Sequence, residues 1–343
     1  MNQNTDPFIN YIFYPYIIDS YIGKGTFGLV YKVHHIVKNT LHAVKIYTNA
    51  ILNDHPPMYK YLENQIAIMT NKYHKNITNL EYSTVIPEIG VFLVMEFCDS
   101  GNLKQLIRSR KTLDEGRALE ILSQLVDGFK YLYFLGLMHR DFKSQNVLIT
   151  TEKSGKTQKI RYKIADFDFI RLGTGNTYLG TVAYMAPEVL ENGDKEINKQ
   201  VYENKIDIWS LGVVFYEMLY GVLPFKSKKP LVQLDEIKRF GGNMKLEGNV
   251  SEISKDFLRK SLVVNKFDRI GWNDIFEHPA TRRRYGALEI EKKEANGPEI
   301  NQIDDNEQNG GMMMPQKFEE KKKNESIVRK ERKWWHFLCM EGN

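Results

Sequence analysis

Two polar segments of the chain hold side chains that could do chemistry together. The first, HRDFKSQN, runs from His139 to Asn146, and the second, Asp166-Phe167-Asp168, follows it after an apolar stretch. An aspartate can accept a proton, a lysine can neutralise negative charge, and carboxylate and amide oxygens suit a hard cation such as Mg²⁺. Such a set fits a reaction that depends on positioning and charge neutralisation more than on covalent help from the protein.

A glycine-rich segment lies upstream of these two. GKGTFGLV, Gly23 to Val30, fits the pattern G-x-G-x-x-G-x-V, which is weak alone because glycine triplets occur in ordinary turns. The strand-like residues around it predict a hairpin, and Ala43-Val44-Lys45 falls on the next predicted strand. The plainer interpretation of Lys45 is a surface lysine on an edge strand, and the glycine segment makes that interpretation the less favoured one.

The elements that would position these groups are predicted by the spacing of apolar residues. Residues 17–45 and 91–97 are rich in β-branched and aromatic residues and predict strands. Residues 59–72, 119–135 and 206–220 have helical spacing. A small strand-rich region therefore precedes a larger helical one, which is an α+β arrangement.

Three later segments complete a pattern. GTVAYMAPEVL starts at Gly180, DIWSLG starts at Asp207, and FDRI contains Arg269. With the segments above, and in this order, they resemble the eukaryotic protein kinases of the Ser/Thr type from about Ile17 to Pro279. MEFCDSGNL, RDFKSQN and YMAPEVL are most similar to the autophagy-initiating subgroup.

The resemblance implies a two-lobed protein kinase fold with a β-rich N-lobe at 17–97 and a larger helical C-lobe at 98–280. An N-terminal extension, 1–16, would precede it, and a charged, disordered tail, 281–343, would follow. The implied function is ATP- and Mg²⁺-dependent transfer of the γ-phosphoryl group to serine and threonine hydroxyls of protein substrates. The alternative is a pseudokinase, a nucleotide-binding or scaffolding module with weak transfer or none.

The resemblance also implies a role for each site residue. Lys45 would pair with the α- and β-phosphates, Asp141 would orient the substrate hydroxyl or accept its proton, and Lys143 would steady the γ-phosphate. Asn146 and Asp166 would bind Mg²⁺. The nucleotide would contact glycines of the hairpin, apolar residues around the adenine, and backbone groups at the connector, which is the turn-like segment 98–101 after the strand at 91–97. These residues are Ile22, Gly23, Gly25, Gly28, Val30, Ala43, Lys45, Glu96, Cys98 and Leu148.

Other implied contacts hold the fold and the reacting groups in place. Thr181 would contact Asp141, and Asp207 would cap the backbone of the catalytic loop. Glu188 would form a buried ion pair with Arg269. An apolar stack would join the lobes through Met69, Leu80, His139 and Phe167.

The chain departs from the family at two positions. Asp168 stands where the triplet normally ends in Gly, and a β-carbon there would cost about 1–2 kcal/mol if the backbone were left-handed. Gln65 stands where the family has the Glu that pairs with the strand lysine. Glu63 lies on another face of that helix, so a neutral hydrogen bond from Lys45 to Gln65 is favoured over an unusual register that uses Glu63.

These departures favour the pseudokinase, but neither residue performs the chemistry. The groups that do are all present: Lys45, Asp141, Asn146 and Asp166. The active enzyme is therefore the preferred hypothesis.

Regulation and substrate choice have weaker signals. Thr177 sits four residues before Thr181, where the family often carries an activating phosphate that Arg140 could bind, and an unmodified loop residue is the alternative. With Gln65, these threonines are the candidate regulatory residues. Asn102 and Gln145 are neutral where kinases that prefer upstream arginine carry acids, so no strong arginine requirement is expected.

Composition limits the partners and the compartment. The 343 residues carry 48 basic and 43 acidic side chains, and a net charge of +5 does not by itself imply nucleic acid. Cys98 and Cys339 are too few for a disulfide framework, and the N-terminus lacks a signal-peptide pattern, so a cytoplasmic location is expected. Residues 206–225 include Asp207 and predict a buried helix rather than a membrane span.

The end of the tail, Val328 to Cys339, is basic and aromatic. It could lie on an anionic membrane surface with a lipid on Cys339, or dock back on the kinase domain as a helix. A disordered end is the favoured interpretation.

Overall fold

The computed structural model describes residues 6–25, 27–70, 72–154, 157–168, 181–192, 205–240, 246, 248 and 250–282. The predicted tail lies outside these residues beyond 282, as does Thr177. Among the helices within the described ranges, none is both long enough and apolar enough to cross a bilayer.

A six-stranded antiparallel sheet forms the first part of the fold. Its strands, in the spatial order β1-β2-β3-β4-β6-β5, are β1 (Ile12–Phe13), β2 (Tyr16–Lys24), β3 (Leu29–His35), β4 (Thr40–Thr48), β5 (Leu80–Ile86) and β6 (Gly90–Glu96). β2 and β3 form the predicted hairpin, in which Gly23 pairs with Val30. β6 covers the apolar run that predicted a strand at 91–97.

The two faces of β4 have different surroundings. Val44 and Ile46 point into one apolar cluster with Phe92 and Val94 of β6. Because side chains alternate along a strand, Lys45 points to the opposite face, where Tyr47 is buried with Leu52, Met58, Leu62 and Leu93. This alternation directs Lys45 toward the helix side of the sheet.

Two helices follow β4. Thr48 caps the short helix α1 (Asn49–Asp54), and Pro57 starts α2 (Pro57–Met69), where the missing N–H of proline leaves no helical bond unmade. Leu62, Gln65 and Met69 are buried along one face of α2, whereas the Glu63 side chain is 48% exposed and pairs with Lys60. The register preferred from the apolar spacing is therefore confirmed.

The second part of the fold is helical around one large apolar core. It contains one two-stranded hairpin, β7 (Val147–Ser154) with β8 (Thr157–Ile164). The described helices are α3 (Leu103–Arg110), α4 (Glu115–Phe134), α5 (Pro187–Asn192), α6 (Ile206–Tyr220), α7 (Pro230–Phe240), α8 (Glu252–Ser261) and α9 (Trp272–Glu277). α6 is buried along almost its whole length, as predicted for its apolar sequence. The α+β prediction is confirmed.

The N-terminal extension is more than an appendage. β1 adds an edge strand to the sheet, and Phe13 is buried with its ring centroid 5.0 Å from that of Phe92. Asp6 accepts a hydrogen bond from the Tyr31 hydroxyl at 2.9 Å. The segment carries several aromatic residues, and burying them against the sheet is favourable.

Candidate active site

The catalytic loop that follows α4 is fixed by the first turn of α6. Asp207 accepts the backbone N–H of His139 at 2.7 Å and that of Arg140 at 2.9 Å. The carboxylate is buried and serves both N–H groups at once. The predicted capping contact is present, and it anchors the loop to the core helix.

Asp141 lies at the centre of a compact polar cluster. Its Oδ1 accepts the backbone N–H of Thr181 at 2.9 Å, and its Oδ2 accepts from Lys143 Nζ at 2.5 Å. Lys143 also donates to Thr181 Oγ1 at 3.0 Å. The predicted contact of Thr181 with Asp141 is therefore present, and Lys143 joins it, with an anion and a cation in direct contact.

Asn146 links this cluster to the acidic triplet. Its side-chain Nδ2 donates to the Asp141 carbonyl at 2.9 Å, and its own carbonyl accepts the N–H of Ala165 at 2.8 Å. Asp166 follows Ala165 directly. The two predicted metal ligands are therefore held on neighbouring, hydrogen-bonded stretches of backbone.

Lys45 contacts two carboxylates across the fold. Its Nζ donates to Asp166 Oδ1 at 2.6 Å and to Asp168 Oδ2 at 2.6 Å. The predicted hydrogen bond to Gln65 is wrong, because Gln65 Oε1 is buried and has no hydrogen-bond partner. An ammonium binds a carboxylate more strongly than a neutral amide, which explains the choice.

Asp168 has none of the backbone strain expected for a residue that replaces glycine. The positive φ of the triplet belongs to Asp166, at 68°, and Asp168 is not among the described residues with a positive φ. The Asp168 side chain is 1% exposed, and the Tyr47 hydroxyl donates to its Oδ1 at 2.5 Å. Tyr47 had no signal in the sequence other than its place two residues after Lys45.

The charges of this cluster shift each other's pKa. Burial raises the pKa of Asp166, but Lys45 outweighs it and lowers the value to about 2. Burial and the Asp166 charge raise the pKa of Asp168 to about 6, although Lys45 and Tyr47 oppose them. Burial would lower the pKa of Lys45, and the two carboxylates hold it well above its ordinary value. Near neutral pH the cluster is one ammonium between two carboxylates.

Three of the predicted nucleotide residues, Val30, Ala43 and Lys45, share one face of the sheet. Val30 pairs with Lys45, and Ala43 pairs with Met95 of β6. Val30, Ala43 and Leu148 are half-buried and Ile22 is half-exposed, whereas the neighbouring Tyr31, Val44 and Val147 are buried. The glycine loop lies against Lys45, because a β-carbon on Gly25 would stand 3.3 Å from Lys45 Cε.

Glu96, at the end of β6, fixes the start of the connector through its side-chain contacts. Its Oε1 accepts from the backbone N–H of Asn79 at 2.8 Å, and its Oε2 faces Lys163 Nζ at 2.9 Å. The Lys163 side chain is 2% exposed on β8, where it stands next to Leu148 in the sheet register across the hairpin. Sequence reasoning missed Lys163, whose signal is a lysine between Tyr162 and Ile164 at the end of β8.

Cys98 on the connector should react slowly with alkylating reagents. Burial, and then the Glu96 carboxylate, raise the pKa of its thiol to about 12. At pH 7.5 we expect iodoacetamide to label Cys98 at least about a hundredfold more slowly than an ordinary cysteine, because the thiolate is the reactive form. Peptide mass spectrometry measures the rate, and the guanidinium-unfolded chain is the control. Equal rates in both states would contradict the prediction.

A second buried network supports the catalytic loop from the core. Glu217 of α6 is fully buried, pairs with Lys104 of α3 and accepts the Tyr184 hydroxyl at 2.8 Å. That hydroxyl also lies 3.0 Å from Ser144 Oγ in the loop. The network was not predicted, and its one signal is an acidic residue inside an apolar helix.

Replacing Lys104 with Met should lower the free energy of unfolding by about 2 kcal/mol. Glu217 would then keep its charge in the core without a cation, a loss reduced by the partial exposure of the Lys104 side chain. Urea denaturation measures it. Lys260→Met, which removes an exposed pair with Asp256, is the control and should cost less than about 1 kcal/mol. Equal losses in the two variants would count against the buried network.

Two further predicted contacts, an ion pair and the apolar stack, are present among the described residues. Arg269 makes a two-pronged ion pair with Glu188, at 2.7 and 2.8 Å. The ring centroids of His139 and Phe167 are 5.2 Å apart. Met69 and Phe167 belong to the same core cluster, against which Leu80 packs, as expected for a stack between the two parts of the fold.

Comparisons with known proteins agree with this geometry. The protein kinase domain family matches residues 16–280. Serine/threonine-protein kinase atg1 of Dictyostelium discoideum is 31% identical over 271 residues, which are 77% of this chain and 38% of that protein. Serine/threonine-protein kinase ULK1 of Homo sapiens is 32% identical over 270 residues, 75% of this chain and 24% of that protein. Serine/threonine-protein kinase shk1/pak1 of Schizosaccharomyces pombe is 31% identical over 264 residues, which are 75% of this chain and 37% of that protein.

The chain belongs to the protein kinase family. The predicted resemblance to Ser/Thr kinases, and to the subgroup of atg1 and ULK1, is confirmed, with shk1/pak1 at a similar identity. The chain spans no more than 38% of the length of these three relatives.

Proposed function

We propose that this chain transfers the γ-phosphoryl group of ATP to serine and threonine hydroxyls of protein substrates, with Mg²⁺. The observation that carries the proposal is the cluster of Asp141, Lys143 and Asn146, in which hydrogen bonds link the base, the cation and one candidate metal ligand. A backbone hydrogen bond from Ala165 to Asn146 holds the second candidate ligand, Asp166, on the adjoining stretch of chain. The similarity to named Ser/Thr kinases supports the same reaction.

The residues present fit Mg²⁺ and a nucleotide. Asn146 uses its amide nitrogen on the Asp141 carbonyl, which leaves its amide oxygen for a cation, and the Asp166 side chain is 23% exposed. Two such oxygens suit Mg²⁺, which takes its other ligands from phosphates and water. The glycine at 25 leaves open the space beside the Lys45 ammonium, which a β-carbon would fill.

Each residue then has a defined task. Asp141 accepts the proton of the substrate hydroxyl. The hydroxyl oxygen of the substrate bonds to the γ-phosphorus, and the bond between that phosphorus and the oxygen bridging to the β-phosphate breaks, which releases ADP. Lys143, already in contact with Asp141, neutralises charge on the transferred group. Lys45 holds the α- and β-phosphates. Bound Mg²⁺ would supply further neutralisation of phosphate charge.

A transfer assay tests the proposal. The full chain is incubated with radiolabelled ATP, Mg²⁺ and a general protein substrate such as casein, and the labelled amino acids are identified after hydrolysis. We expect phosphoserine and phosphothreonine, and no label with Asp166→Ala. Label on tyrosine would contradict the substrate class, and a signal no higher than that of Asp166→Ala would leave the pseudokinase alternative.

The remaining parts of the proposal concern partners and location. Protein substrates and ATP are the partners that family membership supports, and neutral Asn102 and Gln145 support substrates without an arginine requirement. We place the protein in the cytoplasm on the strength of its cysteine content. For the basic aromatic end of the tail, a disordered end remains the prediction.

A further inference from the structure

The strand lysine has one carboxylate partner that the proposed function does not use. Lys45 Nζ lies 2.6 Å from both Asp166 Oδ1 and Asp168 Oδ2. Asp166 is a candidate metal ligand and is needed elsewhere when nucleotide is bound. Asp168 has no such duty, so its contact with Lys45 can persist.

Asp168 is held as a fixed partner. One of its oxygens takes the Lys45 ammonium and the other takes the Tyr47 hydroxyl at 2.5 Å. Lys45 and Tyr47 lie two residues apart on β4 and therefore project to the same face. The Asp168 side chain is 1% exposed, so both of its oxygens are shielded from water and bonded to side chains of β4.

The helix that faces this strand offers no anion in exchange. Glu63 is the one acidic residue in the sequence of α2, and its side chain is 48% exposed and paired with Lys60. On the inward face, beside the apolar Leu62 and Met69, the buried polar side chain is that of Gln65, which is neutral and has an unpartnered Oε1. A buried ammonium left without an anion would be costly, and in this chain the anion comes from the triplet.

We propose that Asp168 is the positioning residue for Lys45, that it replaces the carboxylate absent from α2, and that Tyr47 orients it. This inference rests on the proposed kinase function. It makes the two departures from the family one change: the negative charge has moved from the helix to the end of the triplet.

Kinetics of single variants give the first test. Asp168→Asn keeps the shape and removes the charge, and we expect at least a tenfold loss in kcat/KM for ATP. Tyr47→Phe should lose about threefold, because the carboxylate remains but is no longer oriented. The matched control Glu63→Gln should stay within twofold of the wild type. Wild-type kinetics for Asp168→Asn would overturn the inference.

Relocating the charge is the sharper test. Gln65→Glu returns a carboxylate to the inward face of α2. In the Asp168→Asn background it should recover most of the lost kcat/KM, which a purely structural role of Asp168 would not allow. If the double variant has the same kcat/KM as Asp168→Asn alone, Asp168 does not replace the carboxylate absent from α2.

A measurement without nucleotide separates this inference from the proposed function. Urea midpoints are compared for Lys45→Met, Asp168→Asn and the double variant. If the pair exists, the shifts are non-additive. Strictly additive shifts would overturn the pair even in an active kinase. Non-additive shifts in a protein that transfers no phosphate would retain the pair and reject the proposed function instead.

Discussion

Replacing Asp141 with Asn is expected to lower kcat about a thousandfold, within the range that a positioned general base contributes. The asparagine oxygen can still accept the Thr181 N–H, now at 2.9 Å, so the local backbone should keep its course. Two things are lost: the group that accepts the substrate proton, and the negative charge that faces Lys143 at 2.5 Å. The KM for ATP should change little, because Asp141 is not one of the residues expected to hold the nucleotide.

Steady-state kinetics with varied ATP and a fixed protein substrate measure both constants. The control is Asp235→Asn, which removes an exposed carboxylate of α7 that pairs with Arg239. That variant should keep kcat and KM within twofold of the wild type. A kcat for Asp141→Asn within tenfold of the wild type would show that this carboxylate is not the base, and the proposed mechanism would fail with it.

The sequence was sufficient wherever a contact depends on local pattern or on a motif of the family. The two-residue period of β4 places Lys45 opposite Val44, and the apolar spacing of α2 turns Gln65 inward and Glu63 outward. The capping of the loop by Asp207 and the pair of Glu188 with Arg269 follow from motifs with fixed partners.

Two of the failures, the partner of Lys45 and the pair of Lys163 with Glu96, share a physical cause. The partner of Lys45 lies 123 residues away, and nothing local to either segment shows that Asp168 is nearer than Gln65. Once a carboxylate and an amide compete for one buried ammonium, charge decides. The pair of Lys163 with Glu96 is missed for the same reason, because the two residues lie 67 positions apart and the sequence does not show that the fold buries Lys163.

The expectation of backbone strain at Asp168 is wrong for a different reason. It was argued from the glycine that the family carries, and glycine permits a left-handed backbone without requiring it. In this fold the left-handed residue is Asp166, so the residue at the end of the triplet is free to carry a side chain. That freedom allows a carboxylate to reach Lys45.

Replacing Glu188 with Ala should have the largest effect on stability, lowering the free energy of unfolding by about 3–5 kcal/mol. Arg269 is 1% exposed and would lose both oxygens of its partner. Its other donors reach the carbonyls of Val263 and Lys205, each at 3.0 Å, and those neutral groups cannot balance a full charge.

The guanidinium also lies 5.1 Å from the Trp209 ring centroid, packed against the core helix. The Arg269 side chain therefore cannot move into solvent without leaving a cavity beside α6. For the same reason Arg269→Lys should not be conservative, since lysine lacks the planar fork that serves Glu188 and two carbonyls together.

Urea denaturation of the nucleotide-free chain measures the loss, and the fold supplies its own control. Glu191 lies on the same short helix as Glu188 and pairs with Lys238, with both side chains about half exposed. Glu191→Ala removes the same chemical group three residues away and should cost less than about 1 kcal/mol, because water screens an exposed pair. If the two variants unfold at the same urea concentration, burial does not set the value of the Glu188 pair, and Arg269 must be stabilised by its carbonyl and aromatic contacts alone.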